Sequence, residues 1–248
     1  MLLVNEGLRH MARFPNYDST AIRFNGTSSL ATSPAKVKKW KNPEGGYLHA
    51  MHKHDWGDFH YRITGKDKKG NLSLEGGWQN NRPMGLHDEN RMVENIFEEL
   101  DAPGEWYYSR AEQTLYYYPQ EGENIDKSLF ETPQLKHLIE IRGTMDEPVK
   151  NITIEGVELT GTVRTFMERY EPLLRSDWTV YRGAAVYLEG TEYCKLHGCK
   201  LYNLGGNAVF FSGYNRGGEV TSSHFTEIGA SAICFVGNVE AVRSPSMN

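Results

Sequence analysis

The chain has 248 residues and a formal net charge of −5. This length allows one large or two ordinary domains with a sizeable core, and the acidic balance argues against nucleic acid as the main partner. No segment approaches the roughly 18 consecutive apolar residues of a membrane-spanning helix, and the first residues lack the regions of a signal peptide. Three cysteines at 194, 199 and 234 are too few for a disulfide or zinc framework.

The first half of the chain predicts a β-rich domain with one or two short helices. Ser33 and Pro34 predict a helix start, as N-cap and first helical residue. Residues 59–78 and residues 104–119 each alternate apolar and polar side chains around a polar turn, which predicts two hairpins. We therefore predict a β-rich domain over residues 1–132.

The second half carries a repeat of about 24 residues. AVYLEG begins at Ala185, AVFFSG at Ala208 and AICFVG at Ala232, and NITIEGVELT from Asn151 matches YCKLHGCKLY from Tyr193. Such short alternating strands cannot bury their apolar face alone, so neighbouring units must share a core. With no helical half in the repeat, this period predicts a right-handed parallel β-helix over residues 133–248.

Alternation in these strands predicts a set of inward-pointing side chains. They are Ile152, Ile154, Val157, Leu159, Cys194, Leu196, Cys199 and Leu201. Cys194 and Cys199 are thereby predicted to be buried thiols of a core, because a reactive cysteine requires an electropositive and partly exposed setting.

Several sequence segments resemble those of bacterial secreted right-handed β-helix proteins: KKWKNPEGGYLHAMHKHDWG, RMVENIFEELDAPGEWYYSRAEQTLYYYP, LLRSDWTVYRGAAVYLEG and GGNAVFFSGYNR. Those proteins are similar to polysaccharide-active glycoside hydrolases such as families 141 and 120. The resemblance implies a β-sandwich-like domain that precedes or interrupts a β-helix, hydrolysis of a plant or algal polysaccharide, and a secreted or periplasmic location.

The resemblance also implies that further coils, with the family's acidic motifs, follow in such proteins. No polar cap follows the strand at residues 233–236, and an open solenoid end needs one. We therefore expect this chain to be a truncated piece that is inactive alone, with a catalytic pair that can lie beyond Asn248.

Most glycosidases use two carboxylates, about 5 Å apart in retaining enzymes. Neighbouring strands lie about 4.8 Å apart, so acids at equivalent positions of successive coils would have that spacing. The repeat provides no such pair: Glu189 aligns with Ser212, and Glu227 with Asn203. A pair within this chain would have to combine a coil residue with a loop residue.

The long interruption of the repeat between Gly161 and Gly183 supplies the first candidates, because insertions of a solenoid often form its binding face. Asp177 is a candidate catalytic carboxylate, with Trp178 and Arg182 as substrate-binding residues. The alternative is that Asp177 caps a turn or pairs with an arginine.

Two further places in the repeat supply candidates. Glu227, at a coil corner, is the second candidate carboxylate, and a solvated corner is the alternative. The second place is the segment from Ser212 to Gly218, a candidate sugar-binding loop. There Tyr214 would stack on a sugar while Asn215 and Arg216 donate hydrogen bonds; the alternative is an ordinary turn.

The stretch HAMHKHDWGDFH, residues 49–60, has the residue types of a metal site. Alternation places His52 and His54 on one face, but no zinc-type spacing supports a site, so no metal is predicted. Trp56 and Trp78 are candidates for a glycan groove, with core packing as the alternative.

No organic cofactor is predicted, because the chain has no glycine-rich phosphate loop. Two other function classes stay open. One is a Ca²⁺-dependent polysaccharide lyase, although the repeat shows no stacked aspartates. The other is a non-catalytic, glycan-binding surface protein, with polysaccharide or oligosaccharide as its partner in either case.

Overall fold

A computed structural model describes residues 1–80, 84–172 and 179–238. Contacts divide the chain into two units, Met1–Glu131 and Thr132–Asn248. Strands dominate both units and helices are few and short, which confirms the predicted all-β class. Within the described ranges, no helix has the length and hydrophobicity to cross a membrane.

The first unit is built from antiparallel strands. Five of them form one sheet in the order β3-β7-β4-β5-β6, while β10-β1-β2 and β8-β9 form smaller sheets. The strands are β1 (Leu2–Val4), β2 (Gly7–Arg9), β3 (Arg13–Phe14), β4 (Tyr47–His52), β5 (Asp58–Lys66), β6 (Leu72–Gly76), β7 (Leu86–Glu94), β8 (Trp106–Ser109), β9 (Thr114–Tyr117) and β10 (Phe130–Glu131).

The local predictions for this unit are confirmed. Helix α1 (Pro34–Val37) begins after Ser33, whose side-chain oxygen accepts a hydrogen bond from the Lys36 N–H. The two predicted hairpins are β5–β6 and β8–β9. Three 3₁₀ helices complete the described helical segments: Ser29–Thr32, Phe97–Glu99 and Ile125–Lys127.

The main apolar core of the first unit lies against the five-stranded sheet and α1. Its buried members are Val37, Trp40, Leu48, Ile63, Val93 and Ile96. A smaller cluster of Leu2, Val4 and Trp106 joins the two lesser sheets.

The second unit is built mainly from parallel strands in three sheets. Their orders are β11-β17-β20-β23 (with β12 also on β17), β13-β18-β21 and β14-β19-β22, and β15-β16 is a separate antiparallel hairpin. The strands are β11 (Ile139–Arg142), β12 (Val149–Lys150), β13 (Thr153–Glu155), β14 (Glu158–Thr160), β15 (Glu171–Pro172), β16 (Thr179–Val180), β17 (Val186–Glu192), β18 (Lys195–His197), β19 (Lys200–Leu204), β20 (Val209–Arg216), β21 (Glu219–Thr221), β22 (His224–Ile228) and β23 (Ile233–Val236).

Residues that align in the sequence repeat are neighbours across these parallel sheets. Val186 pairs with Val209, which pairs with Ile233, and Leu201 pairs with Phe225. The apolar repeat positions therefore form columns that meet in one core, which includes Leu188, Leu196, Leu201, Val209 and Phe211.

Cys194 and Cys199 are buried in that core, as predicted. Ile154 and Leu159 pack against it. Ile152 and Val157, which were expected to be buried, are instead 41% and 38% exposed. They precede β13 and β14, the outermost strands of their sheets, so no further strand of the described unit covers them.

Candidate functional site

Strand β16 belongs to the interruption of the repeat between Gly161 and Gly183, which we call the excursion, and it lies on the outer face of the largest parallel sheet. Tyr187 and Phe210 lie on that face, since they alternate with residues that point into the main core. Both are buried, together with Ala184, in a second apolar cluster against which Val180 of β16 packs. The hairpin β15–β16 is therefore held on this sheet by apolar contact.

Arg182 connects the base of this hairpin to strands β20 and β23. Its Nε and Nη2 donate to the two carboxylate oxygens of Glu171, at 3.0 and 2.5 Å. Its Nη1 donates to Ser212 Oγ at 2.9 Å and to the Val236 carbonyl at 3.2 Å, and Nη2 also donates to the Gly237 carbonyl. These bonds use all five N–H donors of the guanidinium, so Arg182 has a positioning role in this arrangement.

Glu189 lies beside this anchor on the same sheet. It is the cross-strand neighbour of Ser212, and its Oε2 accepts a hydrogen bond of 2.7 Å from Arg142. A Cβ built on Gly213 would meet Asn238 Oδ1 at 3.2 Å and Glu189 Oε1 at 4.0 Å. The carboxylate and the amide thus flank a notch that the absent side chain of Gly213 leaves open.

We call this group of side chains the outer-face cluster. Its members are Arg142, Glu171, Arg182, Glu189 and Ser212. It brings a carboxylate of a parallel strand and a carboxylate of the excursion to the same sheet face. The Glu171 side chain is 26% exposed and both its oxygens are bound by Arg182, whereas the Glu189 side chain is 40% exposed. Glu189 is therefore the more accessible acid for general acid–base chemistry.

The sequence-predicted catalytic residues are not brought together in the described residues. Asp177 and Trp178 lie outside the described residues. Glu227 is exposed on β22, in a different parallel sheet from Arg182's partner strands β20 and β23. Its backbone has a φ of +50°, like the φ of +51° at Asn203 in the equivalent position.

The predicted sugar-binding loop is the end of strand β20. The Tyr214 hydroxyl donates to Glu192 Oε1 at 2.6 Å, and this bond raises the pKa of Tyr214. Asn215 accepts from Thr191 Oγ1 at 2.6 Å and donates to the Ser212 carbonyl at 2.8 Å. Both polar groups of Asn215 thus connect parts of the scaffold.

Arg216 continues a charged column along the same sheet edge. It is exposed and is the cross-strand neighbour of Glu192, which pairs with Lys150 at 2.8 Å. The hydrogen bonds from Lys150 and Tyr214 lower the pKa of Glu192. The column therefore alternates cation, carboxylate and cation across three parallel strands.

The histidine-rich stretch of the first unit forms a chain of polar contacts that is buried except at Asp58. His49 Nε2 lies 2.9 Å from Glu94 Oε1, His49 Nδ1 lies 2.7 Å from His60 Nδ1, and His60 Nε2 lies 3.5 Å from Asp58 Oδ2. Burial raises the pKa of Asp58, but the hydrogen bond and charge of His60 and the charge of His49 outweigh it, so the net pKa is lowered. The chain ties together β4, β5 and β7.

The row of contacts from Glu94 through His49 and His60 to Asp58 does not have the geometry of a metal centre. Across the described residues, no group of three or more His, Cys, Asp and Glu side chains converges as a bound metal ion requires. Strand β4 ends at His52, so His54 and Asp55 belong to the turn that follows rather than to the strand face.

Two glutamates of the segment VENIFEELDAPGEW, Glu99 and Glu105, have hydrogen-bond partners within the first unit. Glu99 accepts from Lys36 at 2.7 Å and from Trp40 Nε1 at 2.6 Å. Glu105 is buried, and burial raises its pKa to about 7 although three backbone N–H groups, including that of Arg13, oppose the shift. These contacts give the phrase a structural role.

Sequence reasoning had not identified Glu171 or Glu189 as a candidate site residue. The sequence was searched for a second acid at the position of the next coil that is equivalent to Glu189, and Ser212 occupies that position. The available signal was the excursion itself, which carries Glu171 as well as Asp177.

The fold has a counterpart among solved structures. A protein described as a glycoside hydrolase is 21% identical, with a TM-score of 0.66, over 90% of this chain and 45% of that protein. At this identity the likeness establishes the fold alone, and this chain spans less than half the length of that protein. No family model matches the chain, and no curated protein matches it.

Proposed function

We propose that the chain is part of a glycoside hydrolase, and that its second unit is a right-handed parallel β-helix. The outer-face cluster carries this proposal, because it places Glu189 of a parallel strand beside an excursion that contains further carboxylates. The fold shared with a solved glycoside hydrolase supports it.

The proposed mechanism uses one carboxylate of the sheet and one of the excursion. Glu189 and Asp177 are the proposed pair, one as general acid and the other as nucleophile or base. Glu171 and Arg182 hold the excursion on the sheet, and Trp178 and Tyr214 are proposed to contact the sugar.

The rest of the proposal concerns the whole protein. We propose that the two units are separate domains, the first an accessory domain to the β-helix. The proposed substrate is a plant or algal polysaccharide, which implies export from the cell. No organic cofactor is proposed for glycoside hydrolysis, since proton transfer and the carboxylates suffice.

The test is sugar release by the full-length protein from xylan, mannan, β-glucan, pectin and fucoidan. We expect Glu189→Gln and Asp177→Asn each to lower kcat by about 10²–10⁴-fold, the usual contribution of a general acid or base. Glu158→Gln is the matched control, because Glu158 is an exposed acid on another sheet of the same unit. Unchanged turnover in both acid variants would remove these residues from the mechanism.

The same assay separates the other function classes. Products with an unsaturated sugar end, and loss of activity in a chelator, would indicate a lyase that uses Ca²⁺. Binding of a polysaccharide without release of any product would indicate a glycan-binding protein.

A further inference from the structure

The turn between β4 and β5 presents an aromatic ring to solvent. Trp56 is 46% exposed. Its ring lies parallel to that of His52, at a centroid distance of 5.6 Å and an angle of 10°, and His54 lies 5.6 Å away at 44°. His52 is fully buried and also stacks on Phe59. The two histidine rings therefore support the indole from within the unit, while the residue keeps its 46% exposure.

Hydrogen bonds hold the backbone of the turn that carries this ring. The Asp55 N–H donates to the His52 carbonyl at 2.8 Å, and the His52 N–H donates to the Gly57 carbonyl at 2.9 Å. Asn80 Nδ2 donates to the Trp56 carbonyl at 2.5 Å. A ring held in place before binding loses little conformational entropy when a ligand stacks on it.

Exposed polar groups lie next to the ring. Asp55, the residue before Trp56, pairs with Arg23 at 3.4 Å, and both side chains are substantially exposed, at 39% and 44%. Asp55 also accepts from Asn90 Nδ2, and Asn90 accepts from Thr27 Oγ1, each at 3.3 Å. These bonds are longer than the usual optimum, so hydroxyl groups of a ligand can compete for the same atoms.

A cavity adjoins these polar groups. It has a volume of about 600 Å³ and is formed by the loop between Pro15 and Thr27, with Arg23 and Thr27 in its lining. Arg23 and Thr27 therefore connect the cavity to the Asp55 side of the turn. A volume of this size is within the range of small-molecule sites.

We propose that this surface of the first unit, made of Trp56, Asp55, Arg23, Asn90 and the adjoining cavity, binds a neutral oligosaccharide of pyranose units. A flat aromatic ring matches the C–H face of a pyranose, as Trp combines apolar area with fixed geometry. A carboxylate, a guanidinium and an amide together supply donors and acceptors for its hydroxyls. The choice of a glycan as ligand rests on the proposed function; the site itself does not require hydrolysis.

The test is calorimetric titration of the 248-residue chain with xylohexaose, cellohexaose and mannohexaose. We expect at least one of them to bind, Trp56→Ala to weaken that binding about tenfold or more, and Trp56→Tyr to retain most of it. Tyr118→Ala is the matched control, since Tyr118 is a 43% exposed aromatic residue of the same unit outside this surface. Thermal unfolding of each variant verifies that it is folded.

Each outcome decides the inference. No binding of the three sugars by the unaltered chain, or equal affinity after Trp56→Ala, contradicts it, as does an equal loss in Tyr118→Ala. Because the readout is binding, it is independent of catalysis. Trp56-dependent binding with no sugar release by the full-length protein would uphold this surface while contradicting the proposed hydrolase.

Discussion

The two units of the molecule place their charged groups differently. In the parallel unit, ion pairs such as Lys195–Glu219 and Lys200–Glu158 join exposed side chains of neighbouring strands, at 2.9 and 3.4 Å. In the antiparallel unit, Glu99 is buried with Lys36 as its partner. The parallel unit thus separates an apolar inside from a charged outside, while the antiparallel unit includes charge in its interior.

The difference follows from how each core is assembled. A repeated coil brings the same position of each repeat to the same column, so an apolar residue at that position of every repeat is enough to build the core. The antiparallel unit brings together residues that are distant in sequence, such as Lys36 and Glu99, 63 positions apart, or His49 and Glu94, 45 apart. Its buried polar groups require specific partners, because an unpaired buried charge is costly.

The largest expected effect concerns a single column of the parallel unit. Phe211 is 1% exposed, and its ring stacks on Phe235 at 4.3 Å, but Phe235 is 63% exposed. We expect Phe211→Ala to lower the free energy of unfolding by about 3–5 kcal/mol, as for other buried aromatic truncations. We expect Phe235→Ala to lower it by about 1 kcal/mol or less, since little apolar area is lost. Urea denaturation measures both.

This pair of variants is internally matched, because residue type, column and neighbour are shared. Equal losses for both variants would show that Phe235 is covered in solution, and the column would then contribute uniformly along its length. If Phe211→Ala lowers the free energy of unfolding by much less than the expected range, neighbouring side chains of the column move into the space that the ring leaves.

The second effect compares the buried and the exposed ion pair. Glu99→Ala leaves the Lys36 ammonium and the Trp40 N–H without the carboxylate that binds both, so we expect a loss of about 2–3 kcal/mol. Glu158→Ala removes an acid whose side chain is 61% exposed, and about 0.5 kcal/mol or less is expected. Chemical denaturation at low and high salt distinguishes the two ion pairs, because salt screens the exposed pair much more strongly than the buried one. A salt-sensitive Glu99 would contradict its placement in the interior.

The same comparison shows what the sequence predicts about the fold. The repeat predicted that Val186, Val209 and Ile233 share a column, because a fixed period sets the register. It did not predict that Ile152 would be 41% exposed, because the pattern of a repeat does not mark its outermost strand. In the first unit the hairpins were predictable from local alternation, but the contact of His49 with Glu94 depends on how β4 aligns with β7, which is not the next strand along the chain.

The candidate site was predictable only in outline. The excursion was identifiable as an interruption of the period, and the requirement for one coil acid and one loop acid followed from the absence of stacked acids. The contact of Arg182 with Glu171, Ser212 and Val236 joins residues up to 54 positions apart. Such contacts depend on the path of the excursion over the sheet, which no periodicity encodes.

The smallest effect is a pH dependence in the antiparallel unit. Burial raises the pKa of Glu105 from 4.5 to about 7. The folded state therefore holds a proton that the unfolded state has released between those values, and the free energy of unfolding falls as pH rises from about 4.5 to about 7. Glu105→Gln cannot titrate, so its stability relative to the unaltered chain should rise over this interval. After screening by nearby solvent, we expect a gain on the order of 1 kcal/mol, measured by denaturation at several pH values.

Glu123 provides a control of opposite sign in the same unit. Its hydrogen bond from Tyr117 lowers the pKa of Glu123, although burial opposes the shift. Its contribution is present above the usual pKa of 4.5 and is lost as pH falls through the lower folded value. Glu123→Gln should therefore show a constant difference from the unaltered chain between pH 5 and 8, where Glu105→Gln shows a rising one. If the two variants have parallel pH profiles, the interior of the antiparallel unit does not hold Glu105 protonated. The contrast between an apolar parallel core and a polar antiparallel one would then rest on the Glu99 pair and the His49–His60 chain alone.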